Sequence, residues 1–418
     1  MKEAFEAFRR DPAFGPDADR AGREAAFQRF LDRGFPTTRD EEWKFTSVAP
    51  VAATPFRRAP EVTLDPAAID PFLLKSAITV VLVNGRVAGN LLSVGGLPAG
   101  VVVEFGGGAA SSRPAPGGAF VDLNDAFVEE VVTIRVAPKA VVEAPLHVLS
   151  VAAPNGEAAL VTPRLQVHVG EGAEVSIIET FAGIDGAATL TTAVTRFEIA
   201  PAAVVNHAKI QVEPANAFHM GNTTAWLDRA STFTSHALTF GGRIARNDIT
   251  AVLDGEGAEC TLDGLYVTDG DSLVDTHTTI DHAKPHCPSH ERYKGILAGR
   301  AKAVFNGKII VRQDAQKTDA KQTNRALLLS DGAQVNTKPQ LEIFADDVKC
   351  THGAAIGQLD DDALFYLRAR GISESDARNL LIHAFAAEVL ETTKIGVARE
   401  RAMHLLEAKL SLAEVVSV

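Results

Sequence analysis

Apolar residues recur along this chain at two different periods, and the period changes twice. From Ala21 to Leu31 the spacing is helical, with Ala26, Phe27, Phe30 and Leu31 on one face. Gly34 suits the stop of that helix, and Pro36 follows it. Thr38 with Glu41 has the form of a capping box, which predicts a second short helix with Trp43 and Phe45 as packing anchors. Residues 49–70 are rich in proline and read as a connecting segment.

From Ile78 the helical period is gone. Val80–Val83, Asn84-Gly85 and Arg86-Val87 predict a hairpin with a tight turn. From there to Ile343 short Val, Ile, Leu and Thr runs alternate with Gly, Asp, Asn or Pro, and no amphipathic helix is expected among them. A weak repeat runs through this region: VGEGAEVSI, IAPAAVVNH, LDGEGAECTL, LAGRAKAVF and LSDGAQVNT, with alanines at 173, 203, 258, 301 and 333. Their spacings, 30, 55, 43 and 32, predict a β-solenoid with coils of unequal length, each alanine pointing inward beside a turn. A large Greek-key sandwich is the alternative.

Helix returns at the end. Asp360 to Asp362 lead into ALFYLRAR, which Gly371 stops, and Ser373 with Asp376 starts another helix. Ala377, Leu380, Leu381, Ala384 and Phe385 are expected to form its apolar stripe, and Val397–Ala413 reads as a last amphipathic helix. The division expected is a helical region and linker at 1–70, a β core at 71–353 and a helical region at 354–418.

Composition narrows the function. The net charge of −12 over 418 residues speaks against a nucleic-acid or anionic-membrane partner. Three cysteines, Cys260, Cys287 and Cys350, are too few for a disulfide framework and suit a reducing compartment. The N-terminus is charged and lacks an apolar secretory core, and no run approaches about 18 apolar residues. A cytoplasmic protein is expected.

The stretch Leu341–Gly357 reads as a strand carrying Cys350 and His352 on alternate residues. They would share one face, with Cα atoms about 6.6 Å apart. A thiolate and an imidazole together suit zinc, or iron in a cluster. A closed structural zinc site needs four ligands, so the rest of the chain or a partner completes the set, or no metal binds. His277, His282, His286, Cys287 and His290 are denser in sequence, but Pro285 and Pro288 make that stretch read as a loop, and its spacing matches no zinc pattern. Phosphate-loop and nucleophile-elbow motifs are absent from the sequence. The polar run Arg312–Arg325 either lines a coil face or crosses a surface. A β-helix enzyme acting on polysaccharide and a plain dimerisation module are the rival functions.

Longer motifs carry a resemblance. GEGAECTLDGLY, VDTHTTIDHAKPHCPS, RAKAVFNGKIIV, QKTDAKQTNRALLLS, VNTKPQLEIFADDVKCTHGAAIG and DDALFYLRARGI, with REAAFQRFLDRGFPTTRDEEWKFT near the start, resemble the SufB/SufD family of iron–sulfur cluster assembly. The THG after Cys350 is more similar to the SufD type, since SufB-type chains carry a His-Glu-Ala pattern there. The resemblance implies a right-handed parallel β-helix between helical ends and a non-catalytic scaffold role. It implies pairing with SufB and docking of a SufC ATPase on the C-terminal helices. It also implies a transient Fe–S cluster shared with SufB, to which His352 and its neighbour Cys350 contribute. Homodimer formation by the isolated chain and a flavin in the assembled complex stay open.

Overall fold

The computed structural model describes residues 1–15, 17–91, 96–106, 113 and 116–416. Four helices precede the main sheets: α1 (Lys2–Arg9), α2 (Asp17–Arg33), α3 (Ala49–Ala53) and α4 (Pro66–Ile69). The strands begin with β1 (Arg57–Arg58), β2 (Ile78–Val83), β3 (Arg86–Val87) and β4 (Val101–Gly106). After helix α5 (Ala119–Phe127) come β5 (Val131–Val136), β6 (Leu146–Ala152), β7 (Ala159–Val161) and β8 (Arg164–Val169). The regular part continues with β9 (Glu174–Gly183), β10 (Thr189–Ile199), β11 (Val204–Gln211), β12 (Phe218–Leu227), β13 (Thr232–Thr239) and β14 (Ile244–Leu253). It ends with β15 (Glu259–Thr268), β16 (Leu273–His282), β17 (Pro288–Leu297), β18 (Lys302–Val311), β19 (Asp319–Leu328), β20 (Gln334–Ile343) and β21 (Lys349–Gly357). Three helices close the chain: α6 (Asp361–Arg368), α7 (Glu374–Leu390) and α8 (Gly396–Val416).

From β8 onward, even strands stack in one sheet and odd strands in the other. Each strand pairs in parallel with the one two ahead, as β15 does with β17 and β16 with β18. This is a parallel β-solenoid of about eight turns, the fold class expected. Among the described residues, no helix is long and apolar enough to cross a membrane.

The coils are near-equal, which corrects the expectation of unequal ones. Register partners Glu174, Val204, Thr232 and Glu259 stand 30, 28 and 27 residues apart. The repeat had merged two corners. Ala173, Ala203 and Ala258 precede odd strands, where Ser231 fills the skipped place, while Ala301 and Ala333 precede even ones. All five alanines are buried, as a tight corner requires.

Local chemistry explains the ends that were read correctly. Asn84 and Gly85 both have positive φ, 54° and 80°, as a two-residue hairpin turn demands. Gly34 leaves α2 at φ 70°. Asp360 accepts from the backbone N–H of Asp362 and Ala363, and Ser373 from that of Asp376.

Four expectations fail. Helix α5 interrupts the strand region; it is only nine residues long, and its polar residues Asp122, Asn124 and Asp125 meet Arg29, Arg33 and Arg164 instead of solvent. The predicted helix at Thr38 is a single 3-10 turn, Glu41–Trp43, preceded by a Thr37–Asp40 bond rather than a Thr38–Glu41 box. Phe45 is 42% exposed, so only Trp43 anchors this segment, between Phe120 and Arg246. On α7 the buried face is Ala377, Ile382, Ala386, Val389 and Leu390; Leu380 and Ala384 face solvent.

The flanking parts pack on opposite outer faces. Phe5, Phe8, Phe14, Phe27, Phe30 and Phe127 form an aromatic cluster that reaches Leu190, Phe218 and Met220 on the even-strand sheet. Helix α7 lies on β15 and β17, where Lys294 donates to the Phe385 carbonyl at 2.7 Å and Thr392 donates to Asp263 at 2.8 Å.

Candidate functional site

The solenoid ends in two strands with a free edge, β20 in one sheet and β21 in the other. In β19 the side chains alternate cleanly: Ala320, Gln322, Asn324 and Ala326 are buried, while Lys321, Thr323 and Arg325 face out. This resolves the polar run Arg312–Arg325, whose second half lines a coil. The pattern passes by register to β21, where Cys350 pairs with Ala320 and His352 with Gln322. Cys350 and His352 therefore face the lumen at the mouth of the stack, with no further coil over them. Cys350 is half-buried beside Ile309, Val311 and Ala320, and His352 is exposed.

The stretch Leu341–Gly357 is not one strand. Ile343 ends β20, residues 344–348 turn the corner, and β21 starts at Lys349. The shared face of Cys350 and His352 survives, because both lie within β21.

The backbone of β21 is half-used. The Lys349 N–H donates to Thr318 O at 2.8 Å on the β19 side. Strand alternation then turns the N–H groups of Cys350, His352, Ala354 and Ile356 to the free edge. Ile343, Phe344 and Ile356 are exposed beside it. An uncovered edge of this kind pairs readily with another strand.

Burial pushes the Cys350 thiol up, and the nearby Asp319 carboxylate adds to this; the Ala320 N–H only partly opposes them. Among the described groups no cation lowers it, so the thiol is mostly protonated at neutral pH.

The histidine-rich stretch divides between strands and a turn, not a loop as its prolines suggested. Pro288 is the first residue of β17, a place in a strand that tolerates proline. His277 faces outward, 3.0 Å from Asp275 and 3.1 Å from Glu42. Burial alone would lower it, but the Asp275 charge and these bonds raise it to about 9. His282 faces the lumen at 3.0 Å from Ser289 Oγ, and burial lowers it to about 4. His286 sits at the turn with φ 58°, and Cys287 is buried with its Sγ 3.3 Å from the Gly255 carbonyl. Among the described residues no three His, Cys, Asp or Glu side chains are grouped to hold a metal.

Sequence reasoning missed the lumen residues beneath the mouth. Gln322 donates to Glu291 at 2.7 Å, and burial pushes the Glu291 carboxyl up to about 7. The only signal was alternation in β19, uninterpretable before its inner side was known. A larger cleft of about 1190 Å³ lies between the N-terminal segment and the outer face of the even-strand sheet. Its acids are engaged in structure: Asp248 holds Arg246, Glu42 lies 3.1 Å from His277, and Asp281 accepts from Arg312 at 2.7 Å.

Comparison with known proteins decides the family. Residues 151–385 match the model described as SUF system FeS cluster assembly, SufBD core domain. The chain belongs to the SufBD family. It is 33% identical over 394 residues to the iron–sulfur cluster assembly protein SufD of Escherichia coli, covering 88% of this chain and 87% of that one. It is 32% identical over 387 residues to a SufBD family protein of Synechocystis, covering 88% and 85%. A chloroplastic protein of Arabidopsis thaliana, ABCI7, is 28% identical over 410 residues, covering 93% and 85%. SufBD membership makes iron–sulfur cluster assembly the function and displaces the polysaccharide-enzyme alternative.

Proposed function

We propose that this chain is a SufD-type scaffold subunit of the cytoplasm, without catalysis of its own, whose open coil end pairs with SufB. A nascent cluster then forms across that junction, held on this side by His352 with Cys350 as an auxiliary donor. The observation that carries the reading is the placement of these two side chains on a free edge strand, beside N–H groups with no strand to pair with. Two ligands from one chain leave room for a partner's ligands, and an incomplete set releases its cluster more readily than a closed one. Without SufB, the same edge is available to a second copy of this chain.

The C-terminal helices are the proposed dock for a SufC ATPase. They expose Phe365, Tyr366 and Leu380, large apolar side chains left to solvent in this chain. In this reading the scaffold core runs to the end of β21 at Gly357, past the expected boundary at 353, and α6–α8 are the docking region. A flavin is no part of the proposal.

The test is cluster formation by the assembled complex. His352→Ala is expected to abolish cluster formation while the subunits still co-purify, and Cys350→Ala to lower the yield less. Normal cluster yield with His352→Ala overturns the ligand role.

A further inference from the structure

The column that carries His352 continues down the lumen. Gln322 on β19, Glu291 on β17 and Leu262 on β15 follow it in register. Gln322 is 2% exposed and Glu291 1%. The bond from Gln322 Nε2 to Glu291 Oε2 commits the amide nitrogen towards β17. Its Oε1 lies on the other side of the amide carbon, buried and without a hydrogen-bond partner in the protein. An unmet buried acceptor is destabilising unless a donor reaches it. Adjacent strands are about 4.8 Å apart, so a ring N–H on β21 lies within reach of that oxygen. The opposite sheet makes the room: a Cβ on Gly307 of β18 would stand 2.0 Å from Gln322 Nε2.

We propose that Gln322 and Glu291 are positioning residues for His352, with Gln322 Oε1 accepting one ring N–H and Glu291 holding the amide from below. The inference rests on the reading of His352 as a cluster ligand. A rotation about the His352 side chain makes the bond. It fixes the tautomer and leaves the other ring nitrogen, with its lone pair, facing out of the mouth for iron. The ionisable groups around Glu291 are Tyr293 on its own strand and Cys260 and Asp263 on β15, none of them a cation. When Glu291 takes up a proton it can donate as well as accept, so the amide is no longer committed to one orientation. The acceptor for His352 is then no longer fixed.

The experiment is nitrogen-15 NMR of the histidine rings in the full chain without iron, across neutral pH, with His352 assigned by His352→Gln. One dominant His352 tautomer is expected above neutral pH, giving way as Glu291 protonates. Gln322→Leu is expected to return the ring to the tautomer mixture of free imidazole. Glu291→Gln, neutral and both donor and acceptor like the protonated acid, is expected to weaken the single tautomer at every pH and to remove the pH step. A free-imidazole mixture in the wild type overturns the inference, as does an unchanged ring in folded Gln322→Leu; the wild-type spectrum decides if that variant does not fold. No iron enters this measurement, so it stands apart from the ligand role, which cluster yield with His352→Ala decides.

Discussion

Cys260 and Cys350 occupy one lumen column, joined in register through Ser289 and Ala320. Cys260 lies in an interior coil, fully buried, its thiol pushed far up by burial. Cys350 lies in the last coil, with a smaller upward shift. Residue type and strand phase are the same. The number of coils stacked above is not, and it alone separates a core side chain from one a partner can reach.

The sharpest break of this comparison is thiol labelling. Cys350 is expected to react with a small alkylating reagent in the native chain, and Cys260 roughly a thousandfold or more slower, because it is exposed only by unfolding. Comparable rates would mean that the interior coils open locally. Side-chain deletion probes the same contrast as stability. Phe305, buried and 5.1 Å from the Tyr293 ring, is expected to cost about 3–5 kcal/mol as Phe305→Ala in denaturant unfolding. Ile356→Ala in the last coil is expected to stay within about 0.5 kcal/mol.

Next comes the edge itself. Ala354→Pro removes an N–H that points away from β19, so it is expected to leave the melting of the isolated chain nearly unchanged. The proposed pairing with SufB should weaken by about 1–3 kcal/mol, measured by titration of one subunit into the other. Unchanged affinity would place the junction elsewhere.

The smallest effect concerns the outer face. The folded value of His277, about 9, exceeds the ordinary 6.5. Its contribution to stability is therefore complete below about 6.5 and lost as pH rises through about 9. Denaturant midpoints should fall over that window, and His277→Asn should flatten the fall. A fall of the same size in the variant would assign it to another group.

Some features were legible because their causes are local. The Asn84-Gly85 turn, the caps at Asp360 and Ser373 and the stop at Gly34 each depend on a few adjacent residues. Helix α5 escaped because it is short and its polar residues meet arginines of the protein instead of marking a solvent face. The prolines around His286 misled because Pro288 opens a strand instead of breaking one.

The sequence by itself determined that Cys350 and His352 share a face, since alternation within one strand is a property of the backbone. It also determined that the middle of the chain is strand and its ends helix. Only the tertiary structure decided which side of β21 is the lumen, that two series of corners exist, and that the last coil stands uncovered. Strands paired in a solenoid lie some thirty residues apart, as Glu174 and Val204 do. Their register, and with it the depth at which any side chain sits, is set by contacts that no short window of sequence contains.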